Sequence, residues 1–166
     1  MPIEGIAQPE TLAVSDAVRL RRYDGRHGFA LPWYQDPETV RLVDGDERIY
    51  TEELLERMYA WQDGHGELYW IEVLEDGAWR PAGDVWLAPE DFAIVIGERA
   101  RRRGGLGRGA VSALVDRARS LGWERVRVGE IYRFNAASRR LFASLGFREE
   151  AETEKGSSYV LPLREE

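Results

Sequence analysis

The chain has 166 residues, 43% hydrophobic and 32% charged, a balance that suits one globular domain with a real core and is too apolar for disorder. It contains no cysteine, which excludes disulfides, thiolate metal sites and a cysteine nucleophile. Its net charge of −7 disfavours nucleic acid and anionic membrane surfaces as partners, and its two histidines, His27 and His65, lie too far apart to suggest a metal site.

The segment Met1 to Glu10 has neither a basic region nor an apolar stretch, so it reads as a loose N-terminal segment rather than a signal peptide, and a cytoplasmic location is the expectation. With no internal repeat or linker, residues 1–166 are read as a single domain. Leu12 to Arg22 suggests a first strand. Asp36 then caps a short helix that opens on Pro37. Thr51 caps a second helix, with Glu52 and Glu53 in its first turn and Leu54, Leu55, Met58 and Trp61 on one face. Glu67 to Leu74 and Trp79 to Leu87 form a hairpin around an Asp-Gly turn.

Asp91 to Ile96 is a nearly all-apolar run, expected as a central strand covered on both faces. Arg108 to Leu121 repeats apolar residues at helical spacing and is stopped by Gly122. Arg125 to Tyr132 reads as a strand, Asn135 to Leu145 as a helix ended by Gly146, and two closing strands follow near Phe147–Glu152 and Ser158–Leu163. The order implies an α/β (α+β) domain, a mixed twisted sheet flanked by helices.

The chemistry is expected between Ile96 and Arg108. That stretch holds five arginines (99, 101, 102, 103 and 108) against Glu98, a local balance of +4 in an acidic chain. Gly104, Gly105 and Gly107 let the backbone turn sharply and approach a ligand closely. The helix that follows directs its free N–H groups back at the loop, an arrangement suited to phosphate oxygens. No G-x-x-x-x-G-K-[ST] motif is present, which excludes a triphosphate P-loop. The run from Gly105 to Ala110 matches a dinucleotide fingerprint, G-x-G-x-x-A. The arginine-rich stretch before it and the short chain after it do not fit that fold.

Arg102-Arg103-Gly104-Gly105-Leu106-Gly107 resembles the R/Q-x-x-G-x-G/A coenzyme A loop of the GNAT N-acetyltransferase superfamily. Asn135 to Phe147 is similar to that superfamily's N-x-x-[AS]-x-x-[LF]-[YF]-x-x-x-G-F segment. The resemblance covers about Asp91 to Phe147. Trp33 to Glu38 resembles, more loosely, the ribosomal-protein and aminoglycoside acetyltransferase branches.

The resemblance implies the acyl-CoA N-acyltransferase fold, in which two central parallel strands, ending near Val95–Ile96 and Glu130, splay apart to admit the pantetheine arm of acetyl-CoA. It implies that main-chain amides from Arg103 to Arg108, Leu106 included, hold the pyrophosphate, with Arg102 at the head of the motif. It further implies that Asn135 bonds the pantetheine, that Ser138 lies near the phosphates, and that an N–H beside Ile96 receives the thioester carbonyl. A small-molecule or peptide amine would then attack directly in a ternary complex, without a covalent acyl-enzyme and without a metal. Glu130 stands where some members carry a proposed base. The usual tyrosine seven residues after the asparagine is replaced by Phe142, which makes Tyr132 the candidate acid. Trp33 and Tyr34, with Asp44, Asp46 and Glu47, are candidates to line an acceptor pocket suited to a cation. A homodimer is an admissible assembly. The alternative function is an acyl-CoA-binding or sensory module of the same fold without turnover.

Overall fold

The computed structural model describes residues 3–98, 101, 102 and 104–164. Two antiparallel sheets organise it. The first has five strands in the order β1 (Thr11–Ala13), β2 (Val18–Arg22), β3 (Glu67–Glu75), β4 (Ala78–Leu87) and β5 (Phe92–Ile96). The second contains β6 (Arg125–Tyr132), β7 (Arg148–Glu152) and β8 (Gly156–Pro162), with β8 in the middle. Five α-helices are described: α1 (Leu31–Tyr34), α2 (Pro37–Asp44), α3 (Glu52–His65), α4 (Leu106–Ser120) and α5 (Ala136–Ser144). None of the described helices is long and apolar enough to cross a membrane.

Period-2 alternation sends the two faces of the first sheet into two cores. Tyr69, Ile71, Val85 and Leu87 pack with Ala110, Val111, Leu114, Val115 and Ala118 of α4 and with residues of β6. Leu68, Trp70 and Trp86 face the other way, onto Trp33, Tyr34, Val40, Leu55 and Tyr59 of α1–α3. The strands covered on both faces are therefore β3 and β4, whose residues 67–72 and 82–87 are all buried. β5, expected in that role, is an edge strand whose residues 93, 94 and 96 are only partly buried. Its side chains pack into both cores, Phe92, Ile94 and Ile96 into the first and Ala93 and Val95 into the second, and its open edge borders a cleft.

Local chemistry accounts for the helix boundaries. Asp36 accepts from the Glu38 N–H to cap α2, Thr51 from the Leu54 N–H to cap α3, and Asn135 from the Ser138 N–H to cap α5. α4 begins at Leu106, two residues earlier than the apolar spacing suggests, because Gly105 takes the N-cap position in a left-handed conformation (φ 82°). Two further elements differ from expectation. Leu12 to Arg22 is a hairpin rather than one strand, turning where the Val14 and Ser15 N–H groups both donate to the Val18 carbonyl. The buried face of α3 is Leu55 and Tyr59, whereas Trp61 is 55% exposed.

Candidate active site

The two sheets meet at β5 and β6, and among the described residues no ladder pairs them. They are tied at the start of β5. One oxygen of the Asp91 carboxylate accepts from the Phe92 N–H at 2.8 Å and from the Gly129 N–H of β6 at 2.9 Å. Arg127 also donates to the Glu90 carbonyl. Beyond this tie lies a cavity of about 330 Å³, bordered by β5, β6, the first turn of α4, one face of α5 and, from α2, Thr39, Leu42 and Val43.

The edge of β5 toward this cavity carries backbone groups that no strand pairs among the described residues. The Gly97 N–H donates to the Ala82 carbonyl on the β4 side, while the Phe92 N–H points the opposite way, to Asp91. The alternation of an antiparallel strand then directs the N–H and C=O groups of Ile94 and Ile96 into the gap. On the other wall, β6 is bulged. Its register with β8 shifts between Val128 and Ile131, which diverts the Gly129 N–H to Asp91. Bulges of this kind re-aim side chains, and the residues after this one, Glu130 and Tyr132, border the cavity.

The first turn of α4 forms the end wall. By helix geometry the N–H groups of Leu106, Gly107 and Arg108 have no acceptor within the helix, so this end carries partial positive charge. Gly107 allows close approach: a Cβ there would lie 3.1 Å from Leu141 Cδ2. The arginines of the loop are less available than their number suggests. Arg101 pairs with Glu98 and Glu75, and Arg108 donates to Ser144 Oγ at 2.8 Å. Arg102 donates from Nε to the Ile96 carbonyl at 3.1 Å and from Nη2 to Thr39 Oγ1 at 2.6 Å. Arg103 lies outside the described residues.

The residues singled out in the sequence separate into two groups. Val95, Ile96, Arg102, Gly105, Gly107, Arg108, Glu130, Tyr132, Asn135 and Ser138 all border the one cavity, with Gly104 and Leu106 in the turn and helix start beside it. Trp33 and Tyr34 do not border it. Both are buried in the aromatic cluster behind β5, where the Tyr34 hydroxyl donates to Asp84 Oδ2 at 2.7 Å. Tyr59 donates to the same oxygen at 2.8 Å. Burial of Asp84 pushes its carboxyl up to about 6 despite these two bonds. Thr39, Leu42 and Val43 border the cavity and Asp91 ties its base, with no motif in the sequence to mark them. The spacing 39, 42, 43 is one face of a helix and was the available signal for the first three.

Glu130 and Tyr132 sit in contrasting environments. A hydrogen bond from Thr153, followed by the Lys155 N–H at 3.1 Å, holds the Glu130 carboxyl below its ordinary value. Burial, then the charges of Glu130, Asp44 and Asp46, raise the Tyr132 phenol, which stays protonated. The Tyr132 ring stacks on Phe134 at 5.5 Å and rests against Gly45 at the end of α2, while the Arg41 guanidinium lies 4.5 Å over Phe134. Phe142 is 2% exposed and packs edge-on against Phe92 and Phe147, which makes it a core residue. The site thus offers a cationic helix end, an open strand edge, a carboxylate and a protonated phenol around one apolar slot.

A family model described as an acetyltransferase (GNAT) domain matches residues 18–148. No curated protein matches the chain in sequence. Among solved structures, a domain from Methanocaldococcus jannaschii is similar with a TM-score of 0.79 at 20% identity, covering 88% of this chain and 98% of its own. A Salmonella typhimurium acetyl transferase that modifies the N-terminal serine of a 50S ribosomal subunit protein aligns with a TM-score of 0.72 at 17% identity, over 93% of this chain and 100% of its own. An aminoglycoside acetyltransferase in complex with coenzyme A aligns with a TM-score of 0.71 at 14% identity, over 89% of this chain and 95% of its own. At these identities the likeness is one of fold.

Proposed function

The chain belongs to the GNAT acetyltransferase family, and on that premise we propose that it transfers an acetyl group from acetyl-coenzyme A to a primary amine by direct attack in a ternary complex. The observation that carries this reading is the unpaired gap between β5 and β6, closed at one end by the amides of Leu106, Gly107 and Arg108. A diphosphate accepts hydrogen bonds from such a helix start, and an extended pantetheine fits a strand edge that no neighbouring strand pairs. The Ile94 and Ile96 N–H groups are the donors placed to receive the thioester carbonyl and to stabilise negative charge as the amine adds. The cap made by the Asn135 Oδ1 leaves its Nδ2 as a donor toward the arm.

Glu130 and Tyr132 divide the proton work. The amine loses a proton once it has attacked, when its basicity has collapsed, so even a carboxylate held at low pKa accepts it, directly or through water. The Tyr132 phenol, kept protonated, supplies a proton to the departing thiolate, the task Phe142 has no hydroxyl to perform. Asp44, Asp46 and Glu130 face this corner and favour a cationic acceptor, either a small molecule or a peptide amine. The acetyltransferases of similar fold, which act on a protein N-terminus and on aminoglycosides, support an amine as acceptor. Phe142 also favours a second reading, an acyl-CoA-binding module without turnover.

Incubation with acetyl-CoA and a panel of amines, with free thiol as the readout, separates the two. Acceptor-dependent thiol release is expected. Saturable coenzyme A binding without such release across a broad panel would favour the binding module.

A further inference from the structure

We propose that Thr39 is a positioning residue for cofactor binding, holding Arg102 so that the glycine turn is set before the cofactor arrives. This rests on the acetyl-CoA reading of the cleft. Thr39 is 1% exposed, a buried polar residue of α2 that borders the cavity. Its Oγ1 accepts from Arg102 Nη2 at 2.6 Å and donates to Asp36 Oδ2 at 3.1 Å. The hydroxyl thus relays between a guanidinium and a carboxylate, and its proton is committed to Asp36, which leaves its lone pairs for Arg102. The second arm of the same guanidinium holds the Ile96 carbonyl, a group on the open edge of β5.

Three elements therefore converge on one side chain: the end of β5, the start of α2 and the turn that leads through Gly104 and Gly105 into α4. A glycine-rich turn loses much conformational freedom when it closes on a ligand, and a turn already fixed binds more tightly because that cost has been met in folding. A threonine in the first turn of a helix commonly bonds to the N-cap, and the Asp36 contact alone would be that local arrangement. The Arg102 contact is different in kind: it joins residues 63 positions apart and lies at the cofactor wall.

The test uses the full chain and coenzyme A, titrated calorimetrically. T39V keeps the shape and removes the hydroxyl. Loss of a hydrogen bond to a charged group predicts a Kd for coenzyme A weakened about tenfold, with T39S within about twofold of wild type. On an R102M background, T39V should have no further effect on Kd. A T39V Kd equal to or tighter than wild type, or a T39V loss that persists undiminished in R102M, would overturn the inference while leaving the acetyl-CoA reading in place. A wild-type protein that binds no coenzyme A would overturn both. Should T39V not fold, T39A takes its place in the same comparison.

Discussion

Gly107 gives the sharpest separation between folding and binding. It lies in the first turn of α4 with ordinary helical backbone, so alanine is compatible there and should gain about 0.5–1 kcal/mol of helix propensity. The added Cβ would meet Leu141 Cδ2 at 3.1 Å and Ile94 Cδ1 at 4.0 Å. The closer atom is the end of a flexible side chain, whose displacement costs on the order of 1 kcal/mol. The two effects offset, and G107A should melt within about 4 °C of wild type. Binding should respond differently. Leu141 borders the cleft, so the methyl and the displaced leucine both move into the space where the diphosphate must approach the amides. Losing one such charge-assisted hydrogen bond costs about 1.5–3 kcal/mol, or roughly 10- to 100-fold in Kd. Thermal denaturation and calorimetric titration with coenzyme A measure the two quantities on one preparation. A G107A protein of normal stability and unchanged Kd would refute the placement of the phosphates at this helix end.

Three further outcomes follow from the charges. Asp84, raised to about 6 by burial, has more affinity for a proton folded than unfolded. Its contribution to stability is therefore complete below the unfolded carboxylate value and is lost as pH rises through about 6. Relative to D84N, the wild type should lose up to about 3 kcal/mol across that window in urea titrations, and a constant difference would contradict the buried, protonatable Asp84. E130Q should slow kcat about tenfold or more with coenzyme A affinity unchanged. Because the Glu130 carboxyl is held low, the ratio of wild-type to E130Q rates should stay flat from about pH 6 to about pH 9. An unaltered rate would remove Glu130 from the mechanism. Y132F should lower kcat on the order of 10²-fold without weakening coenzyme A binding, and a normal kcat would leave water as the acid.

The second half of the domain was legible because its signals are local. Apolar spacing marks α4, Asn135 caps α5, and Gly122 and Gly146 stop helices with φ of 77° and 93°. What failed was whatever depends on distant partners. An apolar run such as Phe92–Ile96 looks the same whether the strand lies in the middle of a sheet or at its edge, and only strand order separates the cases. Trp33 and Tyr34 have the composition of a ligand pocket, but their partners lie far along the chain: Asp84, 50 residues beyond Tyr34, accepts from its hydroxyl, and Trp70 packs against Trp33. The arginine loop carries a local excess of positive charge in sequence, and nothing in its own stretch shows that Glu75 and Thr39 take up two of its guanidinium groups.

A coenzyme A molecule bound as proposed touches the start of α4 and the open edge of β5. Amide resonances followed during a coenzyme A titration should shift most at Gly105, Leu106, Gly107 and Arg108, and at Ile94 and Ile96 on the edge of β5. Saturable binding that leaves those amides still while others move would contradict that placement.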